Sequence, residues 1–259
     1  MSDAILLTRD GDIATVTLNR PERLNAFTLD MWARFGDAME RVSADDDLRC
    51  VILRGAGGKA FAAGADIAEF PKLRADAAQA ADYARVVDRA IEAVGDCRHP
   101  TLAFIEGACV GGGLELAALC DLRLCNASAR FGIPINRIGH CLPYPAMVAL
   151  VELAGRSTAL EILLEGRVMD AREAYDKGLV NRVFADEEAE AEALAAARRI
   201  AAGAPLAARW HKVFARRAGD PASLTEADWA EPFRACDSED YQEGIRAFLA
   251  KEKPVFKGR

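Results

Sequence analysis

Along the first half of the chain, short apolar runs alternate with longer stretches whose apolar residues recur every three or four positions. Residues 13–19 and 122–125 alternate apolar and polar, the period of a half-buried strand, whereas 50–54 and 101–105 are almost continuously apolar, as in strands covered on both faces. Between them, Thr28 precedes Trp32, Phe35, Met39 and Val42 at helical spacing, and 75–96 carries Tyr83, Val86, Val87, Ala90, Ile91 and Val94 in the same rhythm. Strands alternating with amphipathic helices predict an α/β fold.

From Pro145 onward helices dominate. The pattern predicts a helix over 146–154 stopped by Gly155, a capping box at Asp170 and Glu173, and a Gly178 stop before a short strand at 179–184. Four further helices are expected at 187–202, 205–218, 223–236 and 239–251. A boundary near Gly203-Ala204-Pro205 separates a core of residues 1–203 from a helical C-terminal region, 204–259, which reads as a subdomain or an assembly arm.

Composition narrows the function classes. The 259 residues suit one large or two modest units, and 51% hydrophobic with 28% charged residues is the balance of a water-soluble globular chain. A net charge of -7 argues against a nucleic-acid surface spread over the whole molecule. Seven cysteines, odd in number and without a CxxC pair, read as reduced, buried packing residues. The three histidines, His99, His140 and His211, are too scattered for a zinc set, so no metal site is expected. No basic segment precedes an apolar one at the N-terminus, and the most apolar stretch, 101–120, is interrupted by Glu106, Glu115 and glycines. The expectation is therefore a cytoplasmic protein with no signal peptide and no membrane partner.

Candidate chemistry lies where two apolar strands, 51–53 and 101–105, run into loops of Gly and Ala at 55–66 and 107–113. Small residues after a strand let backbone amides approach a ligand oxygen with no side chain in the way. The candidate donors are the Ala65 amide in Phe61-Ala62-Ala63-Gly64-Ala65-Asp66 and the Gly112 amide in Gly111-Gly112-Gly113-Leu114-Glu115, at a helix start. Either loop alone reads equally well as a tight turn beneath a helix; together, two such donors can converge on one oxygen as an oxyanion hole. Glu115 is the one charged residue in the apolar run 114–120, so the helix carries a carboxylate inward. It either satisfies first-turn amides or, with its pKa raised by desolvation, moves protons; the second reading is preferred.

These segments, 60–67 and 111–117, with Asn19-Arg20-Pro21-Glu22-Arg23-Leu24-Asn25-Ala26 upstream, resemble the enoyl-CoA hydratase/isomerase (crotonase) superfamily. Phe131-Gly132-Ile133-Pro134, the segment 174–180 and the tail 253–257 extend the resemblance over nearly the whole chain. It implies a crotonase-like spiral of ββα turns in two sheets, a helical C-terminal trimerisation region, and a homotrimer or dimer of trimers. It also implies an acyl-CoA thioester as substrate, with no separate cofactor because coenzyme A is part of that thioester. Carried over by position, the Ala65 and Gly112 amides hold the thioester oxygen as it becomes an enolate. Arg23, Leu24, Ala26, Ala63, Asp66, Ile67, Gly111, Pro134 and Ile135 would line the substrate path, with Asp66 also expected to cap its own turn. Glu115 matches one of the two glutamates that handle proton and water in the hydratases.

The second glutamate is missing: Pro134 is followed by Ile135, which cannot move a proton. That leaves hydration or double-bond migration of an enoyl-CoA as the leading reading. The alternatives are decarboxylation or thioester hydrolysis in the same pocket, or acyl-CoA binding with little turnover. His140 is a possible water-positioning group but reads more simply as a loop histidine, and Arg137 either meets a substrate carboxylate or is solvated. Arg209, His211, Lys212, Arg216 and Arg217 read as the wet face of a helix, and Lys251, Lys253, Lys257 and Arg259 as a basic tail suited to the phosphates of CoA.

Overall fold

The structure, a computed structural model, describes residues 3–259. An antiparallel pair, β1 (Ile5–Asp10) and β2 (Ile13–Leu18), opens the chain. Thr28 then caps α1 (Leu29–Ala44) by accepting the Met31 amide at 3.2 Å. Beyond α1, one unit is used three times. β3 (Cys50–Gly55) and β4 (Ala60–Ala62) lead to α2 (Phe70–Leu73) and α3 (Ala77–Gly95). β5 (Thr101–Ile105) and β6 (Ala108–Val110) lead to α4 (Gly112–Ala118), and β7 (Leu122–Asn126) and β8 (Arg130–Gly132) lead to α5 (Tyr144–Glu165). The chain ends with β9 (Met169–Asp170), α6 (Ala171–Asp176), β10 (Arg182–Phe184), α7 (Ala189–Ala201), α8 (Pro205–Arg217), α9 (Glu226–Ala230) and α10 (Glu239–Ala250).

The first strand of each unit joins one sheet and the second strand joins another, which turns the repeat into a spiral. The six-stranded sheet runs β1-β2-β3-β5-β7-β10, parallel from β2 onward, and the four-stranded sheet runs β4-β6-β8-β9, parallel except for its last pair. Burial on both faces explains the continuous apolar runs. Val16, Val51, Leu53, Ala103 and Ile105 face the main core with α1 and α3, while Ile13, Ile52, Leu102, Phe104 and Leu124 face the alanines of α7.

Several expectations are corrected. The loops at 55–66 and 107–113 contain β4 and β6, strands of three residues that are too short to show a period. Gly155 does end the helical path, at φ 76° and ψ 157°, but a second helical stretch follows it directly and runs to Glu165, so α5 is two helices joined at a kink. Only half of the 170–173 box forms, because Asp170 accepts the Glu173 amide while the Glu173 carboxylate turns to Arg167. The helix expected over 223–236 breaks into α9 and a 3-10 segment at Glu231–Asp237, with Thr225 and Asp228 forming the actual capping box. Five cysteines are buried and all seven are free, but Cys141 and Cys236 are exposed. Lys212 is not on a wet face: its side chain is 9% exposed and pairs with Asp121 at 2.9 Å. Arg216 likewise pairs with Asp96, and in the tail Lys257 and Arg259 fold back onto Glu239.

The helices lie close to the short strands where side chains are absent. A β-carbon on Gly113 would stand 2.4 Å from the Ala62 carbonyl oxygen, so α4 reaches β4 only because this residue has none. Gly113→Ala is expected to lower stability by about 1–3 kcal/mol through overpacking, read as a fall in the urea midpoint without change of slope.

Candidate active site

Parallel pairing of β4 with β6 delivers the two small-residue loops to the same place. The first loop is held by Phe27, whose amide donates to the Gly64 carbonyl at 2.8 Å and whose carbonyl accepts the Asp66 amide at 2.7 Å. Bridging of Phe27 to residues 64 and 66 in this parallel pairing turns the N–H of the intervening Ala65 to the opposite side. In the second loop Gly111 donates to Gly132 at 2.8 Å, and Gly112 begins α4, where a first-turn amide has no helical acceptor. Among the described residues, neither the Ala65 nor the Gly112 amide donates to a backbone carbonyl. Gly64, at φ 92°, keeps the approach open, since a β-carbon there would sit 3.2 Å from the Gly112 nitrogen.

Both loops border the same open cleft. Around it the structure brings together Ala63, Ala65, Ile67, Gly111, Gly112, Glu115, Pro134 and Ile135. It leaves Arg23, Leu24, Ala26 and Asp66 outside the lining. Arg23 and Leu24 are exposed on the segment beside it, and Leu24 touches the site only through its carbonyl, which accepts the Ala63 amide. Both carboxylate oxygens of Asp66 are engaged, one by the Ala68 amide and one by Arg20 at 2.7 Å, and the Arg20 contact holds this carboxyl below its ordinary range. Arg137 is also elsewhere, donating to the Gly166 carbonyl at 2.9 Å.

Glu115 follows Gly112 by one turn of α4, and the far end of that helix is fixed by buried Arg123, which donates to the Ala117 and Cys120 carbonyls. Burial pushes the Glu115 carboxyl up from 4.5 to about 7; the Arg74 guanidinium opposes this and the Asp88 carboxylate adds to it. Among the described residues no side chain or amide hydrogen-bonds the Glu115 carboxylate across the cleft, so it is not a helix cap. No three His, Cys, Asp or Glu side chains among the described residues converge as a metal-ligand group.

Among the lining residues that the sequence did not single out as site residues are Trp32, Arg74, Tyr83 and Asp88. Arg74 lies over the Phe70 ring, 4.3 Å from its centroid, and over the Tyr83 ring at 5.1 Å. Its guanidinium also reaches His140 Nε2 at 2.8 Å. Burial and Arg74 lower the His140 pKa, so the ring is neutral near pH 7 and accepts from Arg74; this histidine lines the cleft rather than an ordinary loop. Trp32 Nε1 and Tyr83 Oη are buried without a hydrogen-bond partner among the described residues, and burial pushes the Tyr83 hydroxyl up to about 12. The usable signal was helical phase: Ala80, Tyr83, Ala84 and Val87 are one stripe of α3, and Asp88 continues it. Arg74, in an irregular segment, has no such signal.

Among the described residues, no helix is long and apolar enough to cross a membrane. A family model described as enoyl-CoA hydratase/isomerase matches residues 8–259. The Bacillus subtilis protein YngF is 36% identical over 264 residues, covering 100% of both chains. The crotonyl-CoA hydratase of Syntrophomonas wolfei is 35% identical over 258 residues and 97% of each chain. A crystal structure of an enoyl-CoA hydratase/carnithine racemase from Magnetospirillum magneticum superposes with a TM-score of 0.97 at 54% identity, over 100% of this chain and 97% of that one. With the spiral of ββα units and agreement over nearly its whole length, the chain belongs to the enoyl-CoA hydratase/isomerase family.

Proposed function

We propose that this protein hydrates an enoyl-CoA thioester, holding the thioester oxygen between the Ala65 and Gly112 amides and moving a proton through Glu115. The observation that carries the reading is the convergence of two backbone amides without backbone acceptors and one desolvated carboxyl on a single cleft. As a water oxygen bonds to Cβ, one O–H bond of that water breaks and its proton leaves to solvent, and the π electrons of the enoyl group shift onto the thioester oxygen. The two amides meet the charge where it develops, each donor being worth about 2.7–4 kcal/mol of barrier. The enolate then collapses and Cα takes a proton from Glu115, whose pKa of about 7 leaves much of it protonated near neutrality. Ala63 and Ile67 border the thioester end of the cleft, and the CoA arm leaves past Leu24.

A second reading rests on Ile135. With no carboxyl at that position, Glu115 alone can remove and return protons on one side of an enolate, shifting a double bond instead of adding water. Mass analysis of products from short, long and aromatic enoyl-CoA esters separates the two, since hydration adds the mass of water and migration adds none.

We further propose assembly into a trimer or dimer of trimers. Trp229, Phe233, Phe248 and Leu249 of the C-terminal region are 63%, 74%, 82% and 76% exposed in the single chain, an apolar surface of the kind that copies cover. Sedimentation equilibrium is expected to give three or six times the 27.9 kDa chain mass; a monomer overturns this.

Glu115→Gln is expected to bind crotonyl-CoA with little change in Kd and to lose at least ~100-fold in kcat. Undiminished turnover removes Glu115 from the mechanism. The same variant has a stability signature. Because the folded-state pKa of Glu115 is raised, its favourable contribution is full below about 4.5 and is lost as pH climbs through about 7. Relative to wild type, Glu115→Gln should therefore gain stability between pH 4.5 and pH 8, by up to about 3 kcal/mol in urea unfolding.

A further inference from the structure

Syn-addition of water asks for two proton movements, one off the water and one onto Cα, and at position 135 the chain offers only an isoleucine. We propose that Asp88, on the cleft face of α3, is the second carboxyl of the site, taking the proton from the attacking water while Glu115 supplies the proton to Cα. The inference rests on the hydration reading above.

Three observations carry it. Asp88 lines the same cleft as Glu115, on a helix face otherwise made of Ala80, Tyr83, Ala84 and Val87, where a carboxylate has no packing role. On the same helix Asp82 pairs with Arg85, and Arg89 with Asp37 and Glu40, whereas among the described residues no cation pairs with Asp88 or with Glu92 on the next turn. Its side chain is half-buried, and burial, together with Glu92 on the next turn, raises its pKa.

The placement divides the labour. Glu115 stands one turn from the Gly112 amide on α4, while Asp88 lines the cleft from the separate wall formed by α3; with the thioester oxygen at that amide, the first carboxyl would serve Cα and the second Cβ. In the step, an O–H bond of water breaks, its oxygen bonds to Cβ, and its proton passes to the Asp88 carboxylate. The π pair moves onto the thioester oxygen and returns as Cα takes the Glu115 proton. Asp88 is left protonated and Glu115 ionised, and one proton passed back between them through water restores the pair, with no oxidant or reductant. Arg74, which lowers the Glu115 pKa, is the cation of the same cleft; His140, kept neutral, and Tyr83, kept protonated, complete the titratable groups facing the pair.

The test compares two reactions that share the amides and Glu115: hydration of crotonyl-CoA, and exchange of the α-protons of butyryl-CoA with D2O, which adds no water at Cβ. In Asp88→Asn the ratio of hydration to exchange is expected to fall about 100-fold, and the acid-side limb of the kcat/KM profile, along which Asp88 loses its charge, should disappear. Asp88→Glu, which keeps a carboxyl, should restore that limb. Glu115→Gln should lose both reactions. An unchanged ratio with the acid limb intact in Asp88→Asn overturns the pair and leaves the hydration reading standing. A wild-type protein that exchanges α-protons but hydrates no enoyl ester overturns the hydration reading, and the pair with it.

Discussion

The site depends on backbone meeting backbone at residues 64 and 111–113. Gly64, at a φ of 92° that a side chain would strain, packs on Gly111 and Gly112, and Gly113 sits on the Ala62 carbonyl at a separation no side chain would permit. This contact holds the ends of β4 and β6 side by side. The Phe27 bridge then absorbs the hydrogen-bonding groups on one edge of the first loop and leaves the Ala65 amide on the other. Buried Asn25 secures the arrangement from behind, at φ 57°, with its side-chain amide donating to the Ala56 and Ala60 carbonyls and its Oδ1 accepting the Arg20 amide. Amides left without partners are costly where water is excluded, and the molecule tolerates them at the rim of an open cleft.

Around that backbone frame the charges are few and mutually adjusted. One guanidinium, Arg74, is steadied by two aromatic rings and a neutral imidazole, and it faces carboxyls that burial makes reluctant to ionise. No charge in the cleft is neutralised by a close ion pair. Burial raises the proton affinity of both carboxyls; at Glu115 the Arg74 guanidinium opposes it and Asp88 adds to it, and at Asp88 the Glu92 carboxylate adds to it.

Much of this was legible in the sequence, for physical reasons that also mark the limits. The doubly covered sheet follows from the apolar runs at 50–54 and 101–105, and α1 and α3 from their periodicity, with the capping role of Thr28 readable beforehand. The paired Gly/Ala loops gave away the place of the site because close approach demands small residues. The strands of the second sheet were hidden, since three residues cannot display a period. Arg74 and His140 meet from segments 66 residues apart, a juxtaposition that belongs to the fold and leaves no local trace. Asp88 was readable in principle from the phase of α3, but an aspartate at the edge of an apolar stripe is ordinarily taken for solvent-facing. The Arg23–Ala26 segment is outside the lining of the cleft and meets it through backbone, the Leu24 carbonyl accepting the Ala63 amide.

The interruption of α5 at Gly155 makes two bodies of one helix. The N-terminal stretch starts directly after Pro143, which lines the cleft, while the C-terminal stretch ends beside Arg167, which ties Glu161, Glu165 and Glu173 into a surface ion network. With the i to i−4 ladder severed between them, the stretch that leaves the cleft edge and the stretch that meets the ion network take separate directions within one connected segment.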